Sequence, residues 1–287
     1  MRFELTDEQR GFAASLTDLM RSADAVGAAR AWAAGDKDPG TRLWSRLAEQ
    51  GVTALVLPED QGGLGGTLVD LVVAFEVLGH GLAVGPWIES AALLPHADGA
   101  MITAAVPPLA PYAVDADVAT LASGTAGQTL ASIDTTRTLV AVAGPDEIPA
   151  DAVDRAVLAA SAELLGAGER LLSDTVAYVK QRRQFGREIG SYQAVKHQLA
   201  DVRIALDFAR PLVLGAALGD VPVSAAKVMA GDAARRSART ALQLHGAIGY
   251  TRELDLGLWI NRVRALVGAW GSADHHRGVL AELLREA

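Results

Sequence analysis

Paired apolar residues recur every seven positions, at Val157/Leu158, Leu164/Leu165 and Leu171/Leu172, so they stack on one face of a helix. After the stretch QRRQFGREIGSYQ the pattern resumes: Val195, Leu199, Val202 and Leu206 hold the i, i+4, i+7, i+11 spacing of a buried stripe. A helix with one apolar face must bury it against another element, and two such helices in succession predict a bundle. Pro211 is placed to kink the second of them. Two more helices are expected at about 223–244 and 273–286, joined by HGAIGYTRELDLGLW.

The N-terminal third uses the same grammar. Thr6 can cap a helix over 7–22, with Asp7 and Glu8 at its positive end and Phe12, Leu16 and Leu19 on one face. A second helix is expected over 41–50, ending at Gly51, followed by an extended VTALVLPED and a QGGLGG loop. Over 69–79, Leu71, Val72, Phe75, Val77 and Leu78 surround the helix, as in one buried between others. The character changes after Gly85-Pro86. From about 101 to 145 short segments such as TLASI and TLVAVAG are separated by PPLAP, SGTAG and IDTTR, which reads as strands and turns. The expected fold is mainly α with a small β module: N-terminal helices (1–87), a β-rich middle (88–150) and a C-terminal bundle (151–287).

Composition narrows the function classes. Half of the 287 residues are hydrophobic and 21% are charged, which is a folded globular chain. A net charge of −8 argues against nucleic acid as a partner and confines any anion site to a local cluster. With no cysteine there is no disulfide, thiolate metal site or cysteine nucleophile, and a cytoplasmic setting is expected. The opening MRFELTDEQR is not expected to be a signal peptide, and no apolar run is long enough to span a membrane. The six histidines form no H-E-x-x-H pattern, so no metal is implied. GGLGG at 62–66 lacks the spacing of a phosphate cradle, and there is no G-x-S-x-G elbow.

The most informative stretch is YVKQRRQFGREIGSYQAVKHQLAD, 178–201. An arginine-rich break between helices can converge guanidinium groups and the free amides of the next helix on a diphosphate, while Phe185-Gly186 adds a flat apolar surface at a turn. The alternative is a solvated turn carrying Arg182, Arg183 and Arg187. The run Arg182-Arg183-Gln184-Phe185-Gly186, with Ile189 and Gln193, resembles the signature of the acyl-CoA dehydrogenases. LAEQGVTALVLPEDQGGLGG (47–66) is similar to a segment of that family's N-terminal helical domain, and QLHGAIGY (243–250) to its Q-x-H-G-G-x-G-Y segment. The resemblance implies N-terminal helices, a central β-domain, a four-helix bundle, FAD as cofactor, and α,β-desaturation of acyl-CoA thioesters. It places Arg182 on the FAD pyrophosphate, and Phe185, Gln193, Gln243 and the backbone near Gly246 on the adenosine part, reaching across a subunit interface. Gln243 taken alone would be a satisfied helical polar residue. Ala247 stands where the family usually has a second glycine.

Departures from the family pattern carry as much information. The flavin-binding segments of its central domain have no counterpart between Pro86 and Pro149. Aligning NRVRALVGAWGS (261–272) with the family's Tyr-Glu-Gly-Thr puts Trp270 where the catalytic glutamate belongs, and an indole cannot remove a proton. The base position used by some members, on the first bundle helix, is occupied by Asp154, which could serve as base or cap the helix start. The sequence therefore resembles the short subunit of actinobacterial α2β2 acyl-CoA dehydrogenases, which typically act on steroid-derived thioesters. That resemblance implies a longer homologous chain supplying the flavin-ring site and the base, an acyl-CoA substrate and an electron-transfer flavoprotein as acceptor. The alternatives are a self-sufficient homo-oligomer using Asp154 and a flavin-free scaffold.

Overall fold

A computed structural model describes residues 4–251 and 253–286; Met1 to Phe3 of the MRFELTDEQR opening, Arg252 and Ala287 lie outside the described residues. Helix α1 (Asp7–Ser22) starts at a reciprocal box in which Thr6 Oγ1 accepts from Gln9 N at 3.2 Å and Gln9 Oε1 accepts from Thr6 N at 3.0 Å. Leu16, Leu19 and Met20 are its buried face. Helix α2 (Ala25–Ala33) has no expected counterpart, because its run of small residues shows no apolar period. Its start is fixed instead by Asp24, whose Oδ1 accepts from Gly27 N at 3.1 Å. Helix α3 (Asp38–Glu49) begins three residues ahead of the expected Thr41, since Pro39 is pre-shaped for a first turn, where no N–H is needed.

VTALVLPED is not extended. It folds into consecutive turns: Gly51 O accepts from Ala54 N at 3.1 Å, and Ala54 O from Leu57 N at 3.2 Å and Leu64 N at 3.0 Å. The glycine-rich loop folds back and saturates these carbonyls, with Gly66 N donating to Leu55 O at 2.7 Å, so the segment needs no sheet partner. Helix α4 (Leu68–Gly81) then buries Leu71, Val72, Phe75 and Leu78, with Val77 half-buried, as its all-round apolarity requires.

The middle of the chain opens with a buried π-helical turn, Ile88–Leu93. Strand β1 (Ile102–Thr103) runs parallel to β3 (Thr120–Leu121), and β2 (Tyr112–Val114), β5 (Leu139–Ala143) and β4 (Thr125–Leu130) form an antiparallel sheet in the order β2-β5-β4. TLVAVAG becomes β5, whereas TLASI contributes only its first two residues to β4. Below them the bundle consists of α5 (Ala150–Gln181), α6 (Gln193–Ala217), α7 (Val223–His245), α8 (Leu256–Leu266) and α9 (Ala273–Glu286). Helix α6 is continuous on both sides of Pro211. The expected connection HGAIGYTRELDLGLW (245–259) is not connection throughout: α8 begins within it at Leu256, and Leu256, Trp259, Ile260, Val263 and Leu266 keep helical spacing and are all buried.

The N-terminal helices and the bundle share one hydrophobic core. Their closest approach is built on two glycines. A Cβ at Gly79 would lie 2.1 Å from the carbonyl oxygen of Glu163, and one at Gly166 would lie 2.0 Å from that of Glu76, so α4 and α5 cross backbone to backbone.

Candidate functional site

Helix α5 stops at Gln181. Arg182 still donates its N–H to Tyr178 O at 2.9 Å, but its own backbone is extended. Strands β6 (Arg183–Gln184) and β7 (Arg187–Glu188) then pair across a two-residue turn in which Phe185 (φ 53) and Gly186 (φ 82) are both left-handed. Ile189 N closes the hairpin on Arg182 O at 2.8 Å, and a 3-10 turn, Ile189–Ser191, leads to Gln193 at the start of α6. Phe185 is 91% exposed. A large aromatic held in a strained backbone region and presented to solvent costs free energy twice, which marks the tip as a contact surface.

The three arginines have different fates. Arg183 faces Glu188 at 3.9 Å, and Arg187 lies over the Tyr192 ring at 3.9 Å. Arg182 is exposed, and its guanidinium has no hydrogen bond or ion pair among the described residues. The free ends of α5, α6 and α7 meet here. Gln243 is exposed on the last turn of α7, and Gly246, at φ 64, turns the chain into the 3-10 segment Gly246–Tyr250. A Cβ at Gly246 would touch nothing, so glycine is required by the backbone angle and the space around it is open. Tyr178 stacks on His245 with ring centroids 4.2 Å apart, which joins the end of α5 to that of α7. Arg182, Phe185, Gln193, Gln243 and Gly246 therefore belong to one end of the bundle.

This end fits the adenosine and pyrophosphate of FAD on its own geometry. It offers a guanidinium without an internal partner, an exposed aromatic, two exposed amide side chains and open backbone at Gly246. Residues singled out for proton chemistry lie elsewhere. Asp154 is exposed in the second turn of α5, where burial and then the neighbouring Asp151 raise its pKa. It does not cap the helix, whose N-cap is Pro149 with no side-chain bond. A cleft of about 970 Å³ opens between the 56–68 turns, the π turn and the start of α5, and Asp151, Ala152 and Arg155 line it while Asp154 does not.

Trp270 is sealed in the core at 1% exposure. Its carbonyl accepts from His276 Nε2 at 2.8 Å, Gly271 N donates to Leu109 O at 3.1 Å, and Lys227 Nζ donates to Gly271 O at 3.2 Å and Leu266 O at 3.0 Å. Burial pulls the Lys227 ammonium down to about 7. His276, its pKa also lowered by burial, accepts a hydrogen bond at Nδ1 from Ser224 Oγ at 2.9 Å.

Sequence reasoning missed a buried charge cluster between the β module and the bundle. Arg262 donates from Nε to Asp134 Oδ2 at 2.5 Å, from Nη1 to Glu163 Oε1 at 2.6 Å and Ala83 O at 3.1 Å, and from Nη2 to Thr136 Oγ1 at 2.8 Å. Arg137 adds a bond to Glu163 Oε1 at 2.9 Å. Burial pushes Asp134 up, but Arg262 and Arg137 outweigh it and hold the carboxyl below its usual range. Glu89, on the π turn, is buried and rises to about 7, only partly countered by Arg137. The available signal was a charge inside an apolar run: Glu163 in AASAELLGA and Arg262 in LWINRVRAL.

Comparison with known proteins follows the same lines. The chain matches the family models described as acyl-CoA dehydrogenase, N-terminal domain, over residues 6–98 and acyl-CoA dehydrogenase, C-terminal domain, over 150–284. It is 33% identical to the acyl-CoA dehydrogenase IpdE2 of Mycobacterium tuberculosis, covering 89% of this chain and 91% of that one. Among solved structures it resembles the ChsE4-ChsE5 complex of Mycobacterium tuberculosis (TM-score 0.79, 21% identity, 100% of both chains). It also resembles the Tcur3481-Tcur3483 steroid ACAD (TM-score 0.77, 23% identity, 98% of both chains), and these two likenesses concern the fold. No helix among the described residues is long and apolar enough to cross a membrane. The chain thus belongs to the acyl-CoA dehydrogenase family, oxidoreductases acting on acyl-CoA thioesters.

Proposed function

We propose that this chain is one subunit of a heteromeric, FAD-dependent acyl-CoA dehydrogenase, an α2β2 assembly in which it supplies the adenosine and pyrophosphate half of a shared FAD site. The observation that carries the reading is the contrast between two places. At one end of the bundle Arg182 is exposed with no partner among the described residues, beside the strained Phe185 tip, whereas the position aligned with the family's glutamate is filled by a buried indole. A chain equipped to hold the nucleotide but not to move the proton needs a related chain to complete it. FAD, when bound, supplies the hydride-accepting chemistry. Arg182 would hold the pyrophosphate, and Phe185, Gln193, Gln243 and the backbone at Gly246 would hold the adenosine. The partner, a longer homologue, would provide the carboxylate base and the acyl-CoA pocket, with an electron-transfer flavoprotein as acceptor. Likeness to a steroid ACAD favours a bulky, steroid-derived acyl group.

The test is to purify this chain alone and co-expressed with its closest longer genomic neighbour of the same family, recording the flavin spectrum and the assembly mass. Flavin retained only in the joint assembly is expected. A charge-assisted bond of about 1.5–3 kcal/mol implies that Arg182→Ala weakens FAD binding roughly 10- to 150-fold. Stoichiometric flavin in a homo-oligomer of this chain would overturn the reading.

A further inference from the structure

We propose that Tyr178 and His245 are a positioning pair that sets the spacing between the two segments gripping the nucleotide; the inference rests on the shared-FAD reading. Those segments are distant in sequence: Arg182, Phe185 and Gln193 follow α5, whereas Gln243 and Gly246 end α7. The two rings lie stacked, with centroids 4.2 Å apart and planes inclined by 22°. Each ring is anchored next to a gripping residue. Tyr178 is one helical turn ahead of Arg182, whose N–H donates to the Tyr178 carbonyl at 2.9 Å. His245 directly precedes Gly246, and its buried ring is oriented by Nδ1 donating to Ala241 O at 2.8 Å. The foot of the hairpin sits on the same turn of α5, because a Cβ at Gly190 would come within 3.0 Å of Val179 O. A shift of the imidazole therefore moves the left-handed backbone of Gly246 relative to Arg182 and the hairpin. The Tyr178 hydroxyl reaches His245 O only at 3.5 Å, too long for a strong bond, so the stack carries the coupling.

The experiment compares Tyr178→Leu, Tyr178→Phe and Arg182→Ala. In the chain alone, hydrogen–deuterium exchange at 183–190 and at 246–250 is expected to rise together in Tyr178→Leu and to stay at the wild-type level in Tyr178→Phe, which keeps the ring. In the co-expressed assembly, equilibrium dialysis with FAD is expected to show at least a tenfold weaker Kd for Tyr178→Leu and less than a threefold change for Tyr178→Phe. If exchange rises in one segment only, or if Tyr178→Leu binds FAD like wild type while Arg182→Ala does not, the positioning role is refuted. If Arg182→Ala itself binds FAD normally, the shared-site reading fails instead. Should Tyr178→Leu not fold, His245→Leu, which removes the same stack from its other side, takes its place with the same two readouts and the same expected outcomes.

Discussion

Replacing Arg262 with methionine tests the buried charge cluster directly. The substitution fills a similar volume but removes four donated hydrogen bonds and leaves Asp134 and Glu163 inside the protein with Arg137 as their one remaining cation among the described residues. Breaking a buried pair by deleting one partner costs about 3–5 kcal/mol, because the surviving charge keeps its desolvation penalty. At about 2–4 °C per kcal/mol for a chain of this size, the thermal midpoint at pH 7.5 should fall by roughly 6–20 °C. In the wild type, Asp134 is held below its ordinary pKa, so its contribution is complete above pH 4 and is lost only as the pH falls through that depressed value. In Arg262→Met the buried Asp134 loses the guanidinium that offsets its desolvation and becomes neutral as the pH falls, so the gap between variant and wild type should narrow from pH 8 to pH 5. Differential scanning calorimetry across that range measures both effects. A midpoint change under 3 °C at pH 7.5, or a gap that does not vary with pH, would refute the account of the cluster as a charge-compensated lock.

Glu89→Gln should stabilise the protein at pH 8 by about 3 kcal/mol and leave it nearly unchanged at pH 4, below the carboxyl's unfolded value of 4.5. A carboxyl raised to about 7 stabilises the folded state fully only below its unfolded pKa, and that contribution disappears as the pH rises past 7; denaturant titrations at the two pH values check it. Gly79→Ala puts a methyl 2.1 Å from Glu163 O on a helix that cannot retreat, and about 1–3 kcal/mol of stability should be lost in urea melts. Asp154→Asn should leave kcat of the joint assembly within threefold of wild type, since Asp154 does not line the large cleft beside it; a loss of two orders of magnitude would transfer the base to this chain. Tyr178→Phe should bind FAD nearly as well as wild type, as its dialysis measurement will show.

Much of the fold was legible because it follows from local periodicity. The seven-residue spacing of Leu164/Leu165 and Leu171/Leu172, the Thr6 cap and the all-round apolarity of α4 each needed only neighbouring residues to be read. Helix α2 escaped because alanine gives helix propensity without a period, and VTALVLPED misled because β-branched residues next to a glycine-rich loop can satisfy their backbone in turns. The residues proposed to grip FAD follow from the resemblance of their motifs to the family's, and their placement at one end of the bundle is not contained in that resemblance.

The sequence by itself determined the long amphipathic helices of the bundle, where the bundle is interrupted by an arginine-rich turn, and that position 270 carries no proton-accepting group, since all three depend on the order of side chains along the chain. Only the tertiary structure decided which of the three arginines in the turn after α5 has no partner among the described residues, that Trp270 is sealed behind His276 and Lys227, and that Arg262, Asp134 and Glu163 meet. Those outcomes depend on burial and on contacts between residues up to 128 positions apart, where desolvation and charge compensation are settled by packing rather than by neighbours in sequence.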